Sequence, residues 1–145
     1  MSFALRWCTD FSAEDPRLEG DKFRRKILKR SRSRVVYEDL DTTSIGWMWS
    51  RWTVTIRPPD RWHGTAVGNY RGWEVDYQLK PLSDGRTQFI LRGRRTPLLL
   101  GAKNPPRVEL ERDLGKTWNK LGRALEADYR KGRRARSSRG HARRR

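Results

Sequence analysis

Few side chains in this sequence have the chemistry of a catalytic base. His63 is the only histidine outside the C-terminal tail, and it follows Trp62 in a segment with strand character. A histidine inside a cavity can act as a general acid or base. The alternative is a partly exposed or hydrogen-bonded strand histidine, and no second histidine, cysteine or suitably placed acid accompanies His63. We therefore expect no catalytic triad and no metal centre, and enzymatic activity is not favoured.

Three acids lie close together after a β-branched segment. Glu38, Asp39 and Asp41 follow Val35-Val36-Tyr37. Carboxylates at this spacing could bind Mg²⁺ or Ca²⁺. A solvated turn whose acids pair with nearby arginines is the favoured interpretation, so no metal or other cofactor is expected.

Tryptophan is the most informative residue type. Five tryptophans lie in the central strand-like segments, and a sixth lies in the C-terminal helix: Trp47, Trp49, Trp52, Trp62, Trp73 and Trp118. In segment 45–57, Trp47 and Trp49 share one face while Trp52 shares the other face with Val54 and Ile56. A sheet covered on one side should not be apolar on both, so either a bulge switches the pattern or the outer face is covered. The tryptophans have three possible roles. They could form the wall of a cavity for a flat or hydrophobic ligand, they could stack on nucleic-acid bases beside the arginines, or they could simply pack in the core.

Length and charge limit the function classes. The 145 residues suffice for one domain, and the net charge of +17 favours polyanionic partners such as nucleic acid. Residues 131–145 carry eight basic residues and no acid, so we expect a disordered tail there. Its arginines are the candidate nucleic-acid contacts: Arg133, Arg134, Arg136, Arg139, Arg143, Arg144 and Arg145.

Cysteine use and hydropathy predict a cytoplasmic protein. Cys8 is the single cysteine, so no intrachain disulfide can form. No window resembles a transmembrane span, and the N-terminus does not resemble a secretory signal.

The elements that must position these residues are six strand-like segments between two helices. Residues 1–11 predict a short helix, because Phe3, Trp7 and Phe11 are four apart. The strands are predicted near 22–31, 34–41, 45–57, 61–69, 73–81 and 86–94. A long helix should open at Asn104, which is a suitable N-cap before Pro105. Its apolar stripe consists of Leu110, Leu114, Trp118, Leu121 and Leu125.

The hairpin between 73–81 and 86–94 has a predictable register. A three-residue loop with Gly85 in the left-handed position pairs Leu82 with Arg86 and Tyr77 with Leu91. A two-residue loop would place Tyr77 opposite Arg92, and apolar and charged side chains would then be mixed on both faces of the hairpin. The chosen register also gives two opposite-charge pairs on the outer face: Asp76 with Arg92, and Glu74 with Arg94. These acids are therefore interpreted as structural.

Several stretches resemble the SRPBCC or START-like superfamily, which includes polyketide cyclase/dehydrase-like and lipid-transfer proteins. They are WCTDF at 7–11, RVVYEDL at 34–40, VTIRPPDRW at 54–62, DYQLKPLSDGRTQFIL at 76–91 and ALEADYRK at 124–131. The resemblance implies an α+β helix-grip fold, in which a curved antiparallel sheet of about six strands packs on the long C-terminal helix. It implies a cavity between sheet and helix but no particular chemistry.

One departure from that family is the first strand. Members usually begin with a strand beside the last one, whereas only six residues precede Trp7 here. Either the N-terminus given starts too late, or a shortened form takes a strand from a partner. In the second case the exposed edge 86–94 would support a homodimer.

We therefore expect a single domain at 1–130 that binds a hydrophobic small molecule or lipid, followed by the tail at 131–145. The expected ligand contacts are Trp73, Tyr77, Leu79, Phe89, Leu91, Leu114, Trp118 and Leu121. Two alternatives are a nucleic-acid-associated protein that uses the tail, and a cyclase- or hydratase-like enzyme that uses His63.

Overall fold

The structure is a computed structural model that describes residues 2–12, 15, 23–43, 46–98 and 103–142, with the side chains of the last helix described up to Gly132. It contains a short helix, six strands and a long helix. These are α1 (Phe3–Cys8), β1 (Phe23–Arg30), β2 (Arg34–Thr43), β3 (Gly46–Arg57), β4 (Arg61–Gly68), β5 (Arg71–Pro81), β6 (Thr87–Pro97) and α2 (Arg107–Ala142). The predicted α+β class and the six strands are confirmed.

The six strands form one antiparallel sheet in the order β1-β2-β3-β4-β5-β6, so every strand pairs with its neighbour in the chain. β1 and β6 are the edge strands of the described sheet. The arrangement of a six-stranded antiparallel sheet with a long C-terminal helix is compatible with a helix-grip fold. Homodimerisation through β6 stays a prediction.

Strand β3 keeps its alternation from end to end. Its register with β2 and with β4 is continuous, because Tyr37 pairs with Trp52 and Trp52 pairs with Ala66 without an irregularity on either side. A bulge in β3 was therefore the wrong explanation for its two apolar faces. Trp52 faces inward, while Trp47 lies on the outer face with 60% of its surface exposed.

The core lies between the inner face of the sheet and the two helices. Its buried members are Leu5, Val35, Tyr37, Val54, Ile56, Trp62 and Leu79. Trp118 of α2 packs against this cluster, as the predicted apolar stripe requires. Gly93 allows β6 to lie close to β5, because a Cβ at this position would lie 2.4 Å from the carbonyl oxygen of Glu74.

The β5–β6 hairpin has the predicted register. Tyr77 pairs with Leu91, and the Leu82 amide donates to the Arg86 carbonyl over 2.8 Å. Gly85 has a φ of 79°, a left-handed conformation that glycine adopts without a Cβ penalty. The predicted pair of Glu74 and Arg94 is also present, with Nε 2.8 Å from the carboxylate.

The long helix begins later than its sequence predicts. α2 starts at Arg107, and the Pro106 carbonyl accepts from the Leu110 amide over 3.1 Å. A residue that precedes proline is disfavoured in the helical region, and both Asn104 and Pro105 precede one. Asn104 is therefore not the N-cap, and its side-chain amide donates to the Arg95 carbonyl instead.

The other end of α2 passes the predicted domain boundary at 130. Its backbone helix is described to Ala142, within the segment 131–145 for which disorder is predicted. The side chains of the seven tail arginines lie outside the described residues, so their contacts and the disorder of the tail stay predictions. Of the helices described, none combines the length and apolar character that crossing a membrane would require.

Candidate functional site

A cavity of about 620 Å³ lies between the inner face of the sheet, α2 and the segment that follows α1. Apolar and aromatic side chains form most of its wall, and a smaller set of charged groups lies toward one end. The apolar and aromatic lining residues are Trp7, Phe11, Tyr37, Trp52, Val54, Trp62, Trp73, Val75, Tyr77, Leu91, Leu114, Trp118 and Leu121. This volume is in the range of pockets that enclose small organic ligands.

Six of the eight expected ligand contacts line this cavity: Trp73, Tyr77, Leu91, Leu114, Trp118 and Leu121. The other two share the inner face but lie elsewhere. Leu79 is 7% exposed in the core, and Phe89 lies beside the neighbouring groove under α2. The strand pattern therefore gave the correct face, whereas the position of the helix decides which inward residues reach the cavity.

Stacked aromatic rings connect the sheet to the helix. Trp62 stacks on its cross-strand partner Tyr77 with 4.9 Å between ring centroids and an interplanar angle of 8°. Trp118 stacks on Phe89 at 4.1 Å and contacts Tyr77 at 5.6 Å. Such pairs favour defined relative orientations and typically contribute about 0.5–1.5 kcal/mol each beyond the area that they bury.

The N-terminal helix contributes a part of the cavity wall that the sequence did not assign to a site. Trp7 lines the cavity, and its indole nitrogen donates to the Asp128 carboxylate of α2 over 3.1 Å. Phe3 contacts Tyr129 of the same helix at 5.3 Å. Phe11 stacks on Tyr37 of β2 at 5.3 Å. The four-residue spacing of Phe3, Trp7 and Phe11 was the available signal.

Two titratable groups of this N-terminal wall have raised pKa values. Burial, with a smaller effect of the Asp10 charge, raises the pKa of the Cys8 thiol to about 12. Burial also raises the pKa of Asp10, together with the negative charge of Asp15, while the backbone N–H of Ser12 partly opposes the shift. The thiol is therefore protonated and a poor nucleophile at neutral pH.

The acidic cluster 38–41 lies within a strand and not in a solvated turn, because β2 continues to Thr43. Its acids consequently alternate between faces. Glu38 points outward and pairs with Arg51 over 2.8 Å. Asp39 points into the cavity and pairs with Arg25 through two hydrogen bonds of 2.8 and 2.9 Å. Pairing with arginines was predicted correctly, but the solvated turn was wrong for Asp39.

Arg25 is the centre of this inward ion pair. Its side chain is 6% exposed, it also contacts the Asp15 carboxylate, and its guanidinium lies 4.2 Å from the Tyr37 ring centroid. Burial alone would lower the pKa of Arg25, but the hydrogen bonds that it donates to Asp39 and the surrounding negative groups raise it. Burial raises the pKa of Asp39, and the hydrogen bonds from Arg25 partly offset that effect.

A second charged group lies on β5 and β6 beside Trp73. Arg71 lines the cavity, and its guanidinium is 5.8 Å from the Trp73 ring centroid. Arg95 is the cross-strand partner of Trp73 and lies 5.6 Å from the same centroid. The pKa of Arg71 is lowered by burial and by the positive charge of Arg95, with a smaller opposite effect of Asp41.

His63 lies on the opposite side of the sheet from the cavity. It alternates with the buried Trp62, and its Nδ1 is 2.9 Å from the carboxylate of its cross-strand partner Asp76. The expectation that no acid accompanies His63 was therefore wrong. Because His63 does not reach the cavity, the cyclase- or hydratase-like alternative lacks its base there.

Compared with known proteins, the chain matches no protein-family model and no curated protein. Its candidate function is therefore argued from the geometry above.

Proposed function

We propose that this protein is a helix-grip domain related to the SRPBCC or START-like proteins that binds a hydrophobic small molecule or lipid between the sheet and α2. The observation that carries the proposal is the cavity of about 620 Å³, most of whose wall consists of apolar and aromatic side chains. Apolar ligands gain free energy in proportion to the apolar surface that they remove from water.

Three of the groups that could act as a catalytic base are not available to a ligand in the cavity. Within the described residues, the carboxylate of Asp39 is held by Arg25, Cys8 is protonated, and His63 lies outside the cavity. An ion-paired carboxylate and a protonated thiol are both poor general bases.

Titration with the neutral dye Nile Red tests the proposal. The cavity-lining Thr117 should be replaced by phenylalanine to fill the cavity, with the exposed Lys120→Phe as the control on the same helix. We expect the dye to bind the wild type and Lys120→Phe equally, and Thr117→Phe roughly tenfold more weakly or not at all. Equal binding by Thr117→Phe and Lys120→Phe would refute the cavity as the site. Native mass spectrometry of the protein in a fatty-acid mixture should show a single bound ligand.

We propose nucleic-acid binding as a second candidate function, because the outer face presents an aromatic and basic group. Trp47 is 60% exposed, and the Arg51 guanidinium lies 5.6 Å from the Trp49 ring centroid. Exposed aromatics stack on bases, and arginines bind the phosphates. Affinity for a single-stranded oligonucleotide should fall steeply with salt, and should weaken both in Trp47→Ala and on deletion of 131–145. Binding that does not depend on salt would contradict this candidate.

A further inference from the structure

Two arginines beside the cavity-lining Trp73 have no ion-pair partner among the described residues, and one of them, Arg71, lines the cavity. Arg71 and Arg95 lie against the same ring, that of Trp73, at 5.8 and 5.6 Å. The positive charge of Arg95 helps to lower the pKa of Arg71, so the two charges interact unfavourably. A bound anion close to both would offset that interaction.

Polar atoms around this pair lack partners. The Nε atom of Arg95 is buried and has no hydrogen-bond partner within the described part of the chain. One carboxylate oxygen of Asp41 is likewise buried without a partner, but as an acceptor it would not bind an anion. A buried donor without a partner costs free energy, and a bound group that accepts from it removes that cost. Arg71, Arg95 and Asp41 together carry one net positive charge, which one carboxylate would neutralise.

The apolar wall continues directly from these arginines. Trp73 lies beside Val75 and Tyr77 along the inward face of β5, and Trp118 and Leu121 of α2 line the same cavity. A ligand whose polar end lies at Arg71 would therefore place its apolar part against these residues.

The part of the charged wall around Arg25 does not favour an anion. Asp10, Asp15 and Asp39 line the cavity near Arg25, and Arg25 already pairs with two of these acids. An anionic head group would be repelled there. The place beside Arg71 and Arg95 is therefore the part of the wall that favours an anionic head group.

We propose that the ligand of this cavity is an amphiphile with a carboxylate head group, bound by Arg71 and Arg95, and an apolar tail against Tyr77, Trp118 and Leu121. The proposal rests on the proposed function, since it names the ligand class of the same cavity. Guanidinium groups bind carboxylates through paired, charge-assisted hydrogen bonds, which are stronger than bonds to a neutral hydroxyl group.

Dodecanoate and dodecanol have the same chain and differ in the head group, so their comparison by isothermal titration calorimetry tests the proposal. The titrations use wild type, Arg71→Gln, Arg95→Gln and a control, Arg92→Gln, at about 0.15 M salt to screen the overall charge. Arg92 lies on the same strand as Arg95 but on the outer face, opposite Asp76, so its replacement removes the same charge away from the cavity.

We expect the wild type and Arg92→Gln to bind dodecanoate roughly tenfold more tightly than dodecanol. Arg71→Gln and Arg95→Gln should lose most of this preference while their affinity for dodecanol stays unchanged, which also shows that the cavity is intact.

Equal affinity of the wild type for the two compounds would overturn the head-group assignment and leave the apolar cavity standing. A preference that survives in both Arg71→Gln and Arg95→Gln would overturn the role of the arginine pair. Failure of the wild type to bind either compound would overturn the proposed function as well.

Discussion

Replacement of Asp39 by asparagine should destabilise the protein far more than the same change at its neighbour Glu38. Asp39 forms two hydrogen bonds with Arg25, at 2.8 and 2.9 Å, and the two side chains are 16% and 6% exposed. Removal of one member of a buried pair typically costs 3–5 kcal/mol, because the other charge remains dehydrated. Since Asp15 also contacts Arg25, we expect a loss at the lower limit, about 3 kcal/mol.

Glu38→Gln is the matched control. Glu38 precedes Asp39 on the same strand, but it points to the outer face and pairs with Arg51, whose side chain is 51% exposed. A solvent-exposed pair contributes at most about 1 kcal/mol, so this variant should unfold almost as the wild type does.

Urea unfolding at pH 7, followed by tryptophan fluorescence, measures both free energies. A double variant, Arg25→Met with Asp39→Leu, should regain part of the stability lost in Asp39→Asn, because neither charge of this pair then remains buried. Recovery is incomplete because Asp15 loses its contact with Arg25. If Asp39→Asn is no less stable than Glu38→Gln, the inward pair contributes no more than a surface one, and the account of the charged cavity wall is wrong.

Three further predictions concern the remaining parts of the structure. Gly93→Ala should destabilise the protein by about 1–3 kcal/mol, because the added Cβ would lie 2.4 Å from the backbone oxygen of Glu74. Gly122→Ala should instead stabilise α2 by about 0.5–1 kcal/mol, because a Cβ there would meet nothing within 4 Å. Urea unfolding of both variants measures these changes. Cys8, whose pKa is raised to about 12, should react with Ellman's reagent at pH 8 much more slowly in the folded protein than after unfolding in urea, and equal rates would contradict the raised pKa. Because burial raises the pKa of Asp10, its contribution to stability is complete below the unfolded pKa and is lost as pH rises through the folded pKa. The stability of the wild type relative to Asp10→Asn should therefore decrease from about pH 4 upward, and a constant difference would refute this shift.

Much of the sheet could be predicted because side chains alternate strictly along a strand. The β5–β6 register followed from the requirement that Tyr77 and Leu91 lie on the same apolar face. A shift of one residue would have placed charged side chains on that face and apolar ones on the other. The apolar stripe of α2 likewise identified the face that carries Trp118. Local periodicity determined these features.

The charged wall of the cavity could not be predicted in the same way. Arg25 and Asp39 belong to different strands, and their pairing depends on the β1–β2 register, which shifts between Ile27 and Lys29. The sequence gives no sign of that irregularity. The contact of His63 with Asp76, by contrast, could have been found, since β4 and β5 are neighbours and both residues alternate with buried aromatics.

The sequence by itself determined the order of elements, the inward face of each strand and the apolar stripe of the long helix, because these depend on residues a few positions apart. The tertiary structure alone decided which inward residues line a cavity, which acids meet arginines and where α1 closes the wall. Those outcomes depend on the curvature of the sheet and on the height at which α2 lies above it. Both are set by many weak contacts between residues distant in the chain, such as Trp118 with Phe89 and Trp7 with Asp128.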